Sequence, residues 1–156
     1  VADVRLSALL TQYLSGVSTL AAFPTLPDEL LNARPAAGAP SAGEVIVHLS
    51  QTEIAWSSWF RQILMTDGPQ LVEWALPAAT APLHYDRRSI VTAVGTIAAL
   101  RHDNVDLFAA LTPAQWRRTG EHPELGPTPL RHLVLLASTT LSEELARARR
   151  AVNGSS

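Results

Sequence analysis

Four stretches of this chain carry apolar residues at three-and-four spacing, and Pro- and Gly-bearing segments separate them. That period places the apolar side chains of each stretch on one helical face, which must find another such face to cover it. The first stretch runs from about Asp3 to Ala22 through Leu6, Leu9, Leu10, Tyr13, Leu14, Val17 and Leu20. Phe23-Pro24 ends it, since the residue before Pro is pushed away from helical geometry. Four prolines between Pro24 and Pro40, with Gly38, leave room for little more than one turn at Asp28 to Leu31.

The second stretch has the clearest start. Ser41-Ala42-Gly43-Glu44 reads as a capping box, in which Ser and Glu each satisfy a backbone amide of the other's end. Val45, Leu49, Thr52, Trp56, Trp59, Phe60, Ile63 and Leu64 follow as a broad stripe, and Met65 to Pro69 stop it. At ~1.5 Å per residue this helix is ~35 Å long. A Pro-rich crossover from Gln70 to Tyr85 carries Trp74. The third helix starts near Asp86 or Ser89 and runs to about Leu111, with Ile90, Val94, Ile97, Leu100, Val105, Phe108 and Leu111 facing inward. Thr112-Pro113-Ala114-Gln115 predicts a short capped turn holding Trp116, and Thr128-Pro129 a cap for the last helix, which runs to about Val152 through Leu130, Val134, Ala137, Leu141 and Leu145. No stretch alternates over strand lengths and no hairpin signal appears.

These elements predict an all-α chain: a four-helix bundle with long crossover loops, formed by residues 1–153 as a single domain, with 154–156 as a disordered tail. The 156 residues suffice for one core, with 47% hydrophobic and 17% charged residues. Cys is absent, which excludes disulfides and thiolate metal sites. A net charge of −2 offers no basic field for a nucleic-acid backbone. No apolar run reaches the ~18 residues of a membrane span and no secretion signal is seen. A soluble, cytoplasmic protein with no nucleic-acid or membrane partner is the expectation. All twelve basic residues are Arg, the mark of codon bias in a GC-rich bacterium.

Bundles build sites from polar side chains on or beside their apolar stripes. His48, flanked by Val47 and Leu49, is the first such residue; a hydrogen-bonded, partly buried imidazole and a metal ligand are both compatible with its position. His84 and His122 fall in loops, His132 in the first turn of the last helix. His102 sits in a polar run with Arg101, Asp103 and Asp106, read as the solvated face of the third helix. No His pair four residues apart announces a helical zinc site. Thr52, Trp56 and Trp59 would line a ligand pocket or, as aromatics at helical spacing usually do, fill core. Ser138, Thr139, Thr140 and Ser142 make a polar patch within the last helix.

The run Ser41-Ala-Gly-Glu-Val-Ile-Val-His48-Leu-Ser-Gln-Thr-Glu53, the passage from Arg101 through Leu107-Phe108-Ala-Ala-Leu111-Thr-Pro113-Ala-Gln-Trp116, and Gly120-Glu-His122-Pro123-Glu-Leu-Gly126-Pro-Thr128-Pro-Leu130 occur in the order and spacing of one family. The chain resembles the DinB/YfiT-like superfamily of bacterial four-helix-bundle proteins over nearly its whole length. The resemblance implies a divalent metal held by one His of the second helix and two His four apart on the last. His48 matches the first; the other two positions fall on Thr139 and Glu143, and no His follows His132. One imidazole, a hydroxyl and a carboxylate make a degenerate site holding no metal or a weakly held Zn, Ni or Mn ion. A His48–Glu143 hydrogen-bonded pair is the competing arrangement.

Two functions follow. One is a non-catalytic binding or stress-associated protein with a small molecule as candidate ligand, acting as a homodimer. The other, implied by the resemblance, is a metal-dependent enzyme: a transferase or isomerase using mycothiol, bacillithiol or glutathione, or a hydrolase. The lost His pair favours the first.

Overall fold

The computed structural model describes residues 2–72 and 83–154, with side chains from Arg5 onward. Its helices are α1 (Ala2–Leu14), α2 (Val17–Leu20), α3 (Asp28–Asn32), α4 (Ala42–Met65), α5 (Ile90–Ala109), α6 (Pro113–Trp116) and α7 (Leu130–Asn153). Trp74 and the tail residues Ser155 and Ser156 lie outside the described residues.

Local signals placed most helix ends. The Ser41 hydroxyl accepts from the Glu44 amide at 3.2 Å, and the Glu44 carboxylate takes the Ser41 amide at 2.8 Å, completing the capping box of α4. Thr112 and Gln115 form the same box at α6. Ser89, rather than Asp86, caps α5 by accepting from the Thr92 amide. Thr128 does not cap α7: its hydroxyl donates to the Gly126 carbonyl, and Pro129 occupies the cap position with no side-chain bond.

Two expectations about which elements form are corrected. The first helix is not continuous: it breaks after Leu14, resumes as α2 and ends in a 3-10 turn, Phe23–Thr25. Gly16 at the break lies so close to α7 that a Cβ there would meet Leu141 Cδ2 at 2.6 Å. The stretch Arg5–Thr25 is long and apolar enough by composition to cross a membrane, yet Leu9, Tyr13, Leu20 and Phe23 from it are buried in the bundle. Strands also exist. β1 (Thr119–His122) and β2 (Gly126–Pro129) form an antiparallel hairpin, closed at Gly126, whose φ of +65° suits glycine. The residues do not alternate, so backbone pairing and not side-chain pattern defines it; Glu121 also ties it to the preceding segment, donating to the Pro69 carbonyl and accepting from the Leu71 amide.

Helix α4 packs against α5 and α7, and α1 packs against the same two. The cyclic order is therefore α1–α5–α4–α7, with α1 facing α4 and α5 facing α7 across the two diagonals. The core divides into two apolar clusters. One joins Leu20 and Phe23 to the early residues of α4 and α5 (Val45, Leu49, Val94, Ile97) and the late residues of α7 (Leu141, Leu145). The other joins Leu9 and Tyr13 to the late residues of α4 and α5 (Trp59, Phe60, Phe108) and the early residues of α7 (Leu130, Val134). Hence α4 and α5 run in one direction, α1 and α7 in the other. Two parallel neighbours need a long connection between them, and the segment between Met65 and Ile90 is long enough to supply one.

Between the clusters lies a polar layer. Arg101, read from the sequence as solvated, is the correction of most consequence: its side chain is 1% exposed. Its Nε and Nη2 donate to Glu53 Oε2 at 3.0 and 2.9 Å, Nη2 also to the Ala137 carbonyl at 2.8 Å, and Nη1 to the Tyr13 carbonyl. The Tyr13 hydroxyl donates to Glu53 Oε1 at 2.7 Å and accepts from Asn104 Nδ2 at 2.9 Å. The guanidinium also lies over the Tyr13 ring, 4.2 Å from its centre. Burial pushes the Glu53 carboxyl above the usual range, while Arg101 and the Tyr13 bond pull it down. His102, Asp103 and Asp106 are exposed as expected.

Removing one partner of such a pair leaves a buried charge without compensation, a loss of about 3–5 kcal/mol. Arg101→Leu should lower the unfolding free energy by about that much, and Arg101→Leu with Glu53→Leu should recover most of it. Urea unfolding of the three proteins checks this; a double variant as unstable as the single one would contradict it.

Candidate functional site

His48 is on α4 one turn after Glu44, half-buried at the wall of a cavity of about 440 Å³. The cavity lies between the first half of α4 and the second half of α7. It is lined by Arg34, Gly38 and Pro40 of the first crossover, Glu44, Val45 and His48 of α4, Tyr85, and Glu144 and Arg147 of α7. Tyr85 begins a 3-10 turn, Tyr85–Arg87, whose preceding residue His84 has φ +48° and ψ +53°. This left-handed conformation, uncommon outside Gly but accessible to His, turns the chain so that the Tyr85 ring stands 5.7 Å from the His48 ring. The Tyr85 hydroxyl is 3.4 Å from His48 Nδ1, a long contact.

The α7 residues beside His48 are not the expected ones. Thr139 and Glu143 are exposed, and neither lines the cavity. The Thr139 hydroxyl donates back to the Leu135 carbonyl. The register is one residue later: Glu144 is half-buried and lines the cavity, and Thr140, four residues before it, is half-buried too. One residue is about 100° of helix rotation, so this shift separates an outward from an inward side chain. It follows from the stripe Ala137, Leu141, Leu145, Ala148, all buried, which flanks Glu144 and not Glu143.

Charge in the cavity is balanced by pairs. Arg34 binds the Glu44 carboxylate, which also serves the capping box. Arg147 lies 3.4 Å from Glu144 across one turn of α7. Burial pushes the His48 imidazole below its ordinary value; Glu144 opposes this and Arg147 reinforces it.

The donor set does not suit a divalent ion. It offers one imidazole, two carboxylates each already engaged by an Arg, and two guanidinium groups that repel a cation. Among the described residues no three His, Asp or Glu side chains come together as a metal site. Neither His84 nor His122 completes it. His122 Nδ1 accepts from the Glu124 and Leu125 amides and its ring meets Trp59 edge-on; His84 acts through its backbone. The other expected pocket residues are structural. The Thr52 hydroxyl donates to the His48 carbonyl. Trp56 and Trp59 are buried, T-shaped to each other at 4.9 Å, and Trp59 Nε1 donates to the Val72 carbonyl.

Sequence reasoning missed Arg34, Glu44, Tyr85, Glu144 and Arg147 as cavity residues. Glu44 carried a signal, being one turn before His48 on the same face. Arg34 and Tyr85 carried none, because the crossovers set their positions.

The molecule is thus a four-helix bundle with a charged, imidazole-bearing cavity between its second and fourth long helices. The chain belongs to the DinB superfamily, whose family model matches residues 15–139. No curated protein matches it. Its fold is that of YfiT from Bacillus subtilis, described as "a probable metal-dependent hydrolase with an unusual four-helix bundle topology", with a TM-score of 0.87 at 15% identity over 98% of this chain and 89% of that one.

Burial lowers the His48 pKa in the folded state below its unfolded value. Its contribution to stability is complete above the ordinary value near 6.5 and declines as pH falls through that value toward the lowered one. Urea midpoints of the wild type should therefore drop between about pH 7 and pH 5, and His48→Gln should flatten that drop. Equal slopes in both proteins would refute the assignment.

Proposed function

We propose that this chain is a non-catalytic member of the DinB superfamily, a binding protein whose cavity beside His48 takes a small molecule in place of a catalytic metal ion. One observation carries the reading: Glu144 and Arg147, an ion pair, stand on α7 where a metal site would need donors, and the Arg147 cation faces the same space as the imidazole. Replacing ligands by a salt bridge removes affinity for Zn, Ni or Mn and retains groups that can hydrogen-bond a polar ligand. The same reading takes the protein as bacterial and cytoplasmic, pairing with a second copy and associated with stress. Its support is family membership and the Arg-only basic composition.

The alternative is a metal-dependent enzyme of this superfamily, a hydrolase or a thiol-dependent transferase or isomerase. It is favoured by Glu44, His48 and Glu144 lining one cavity and by the description of YfiT.

Metal analysis separates the two. Untagged protein incubated with Zn, Ni or Mn and then dialysed should retain far less than one ion per chain. One equivalent, released by His48→Ala, would overturn the metal-free reading of the cavity and favour the enzyme instead. The register makes a second prediction. Thr140→His with Glu144→His should create zinc or nickel binding that His48→Ala abolishes, while Thr139→His with Glu143→His should not. Calorimetric titration of both double variants measures this, and binding by the 139/143 pair alone would overturn the placement of α7.

A further inference from the structure

A second recess lies at the other end of α7, sharing no residue with the His48 cavity. Arg5, Ala8, Leu9 and Gln12 form one face of α1, and Pro129, Arg131, His132 and Leu135 come from the start of α7. The groove between them has a volume of about 590 Å³, within the ~300–1,000 Å³ usual for small-molecule sites. Its apolar part is Ala8, Leu9, Pro129 and Leu135, and Leu135 is a large side chain left 41% exposed.

The charge around this groove is one-sided. Two Arg and one His line it, and among the described residues no carboxylate does. Arg34, Arg61, Arg87, Arg101, Arg118 and Arg147 each pair with an acid. Arg5 and Arg131 have neither an ion pair nor a side-chain hydrogen bond among the described residues. Helix α7 adds to the imbalance. It is 24 residues long, and its first turn contains no acid, no capping side chain and instead Arg131 and His132. Cations at a helix amino end oppose the macrodipole and cost stability. In a chain of net charge −2, this concentration of positive potential beside exposed apolar surface has no structural partner among the described residues.

We propose that the groove between α1 and the start of α7 binds an amphiphilic organic anion, a carboxylate with an unbranched apolar chain. The carboxylate is held by the Arg5 and Arg131 guanidinium groups, whose planar donor forks match its two oxygens. The apolar chain lies along Leu9 and Leu135. This site is independent of the His48 reading and survives its failure.

Sodium octanoate is the probe, titrated into the full-length chain by calorimetry and by methyl NMR. Saturable binding with shifts confined to Leu9, Leu135 and their neighbours is expected. Octan-1-ol and octylammonium should bind at least tenfold more weakly. Arg131→Glu and Arg5→Glu should each weaken octanoate binding about tenfold or more, while Arg131→Lys should retain part of it. Both residues changed are exposed, and thermal unfolding confirms that each variant folds. Equal binding of octanoate and octan-1-ol would overturn the proposal, as would undiminished binding by the doubly charge-reversed variant or no saturation at millimolar concentration. Sedimentation provides a further arm: a dimer that Arg131→Glu dissociates and octanoate does not would assign the groove to a second copy of the chain.

Discussion

The buried ion pair between Arg101 and Glu53 stands where both diagonals of the bundle cross. Tyr13 of α1 reaches Glu53 of α4 along one diagonal, and Arg101 of α5 reaches the Ala137 carbonyl of α7 along the other. A purely apolar interface between helices tolerates sliding by a turn, since ridges and grooves repeat. A guanidinium with fixed donor directions does not. Every bond in this layer joins two different helices, so moving any one helix breaks the bonds it takes part in, and each loss leaves a charged or polar group unsatisfied in a medium that cannot compensate it. The layer therefore sets the axial register of four helices, whatever it adds to net stability.

That register determines the cavity. His48 lies five residues before Glu53 on α4, and Glu144 seven residues after Ala137 on α7. Because these helices run in opposite directions, both displacements lead to the same end of the bundle, by roughly 7 and 10 Å at the helical rise. The imidazole and the acid meet there because the polar layer holds their helices two turns away. A register shift of one residue in α7 would bring Glu143 toward the cavity and turn Glu144 out.

The same geometry explains what could be read from the sequence. Caps are local: Ser41 needs only Glu44, and Thr112 only Gln115, so both boxes were legible. The apolar stripes were legible as well, and with them the bundle. Arg101 was not, because its residue type argues for the surface, although its spacing argued otherwise. Val94, Ile97, Arg101, Asn104 and Phe108 follow one another by three, four, three and four residues, and a charged side chain in such a series has to be buried with a partner. Glu53, between Leu49 and Trp56, was the matching irregularity on α4. On α7 the stripe through Val134, Ala137, Leu141 and Leu145 was legible, but the site positions were placed by the family resemblance, and an error of one residue put them on Thr139 and Glu143 in place of the half-buried Thr140 and Glu144. The hairpin and the crossover residues Arg34 and Tyr85 depend on backbone bonds and chain paths that no side-chain period encodes.

The separation of the two layers has an evolutionary consequence. In small metal-dependent domains the ion supplies much of the folding free energy, so its ligands cannot be replaced without unfolding the chain. Here two apolar clusters and the Arg101–Glu53 layer hold the bundle, and the His48 cavity lies at its margin among half-exposed crossover residues. Substitution on α7 at that margin leaves the register and both cores untouched. An ion pair such as Glu144–Arg147, half in solvent, is nearly neutral in stability. A bundle of this construction can lose a metal site and keep its fold, so the cavity's chemistry is free to change while the scaffold that presents it stays fixed.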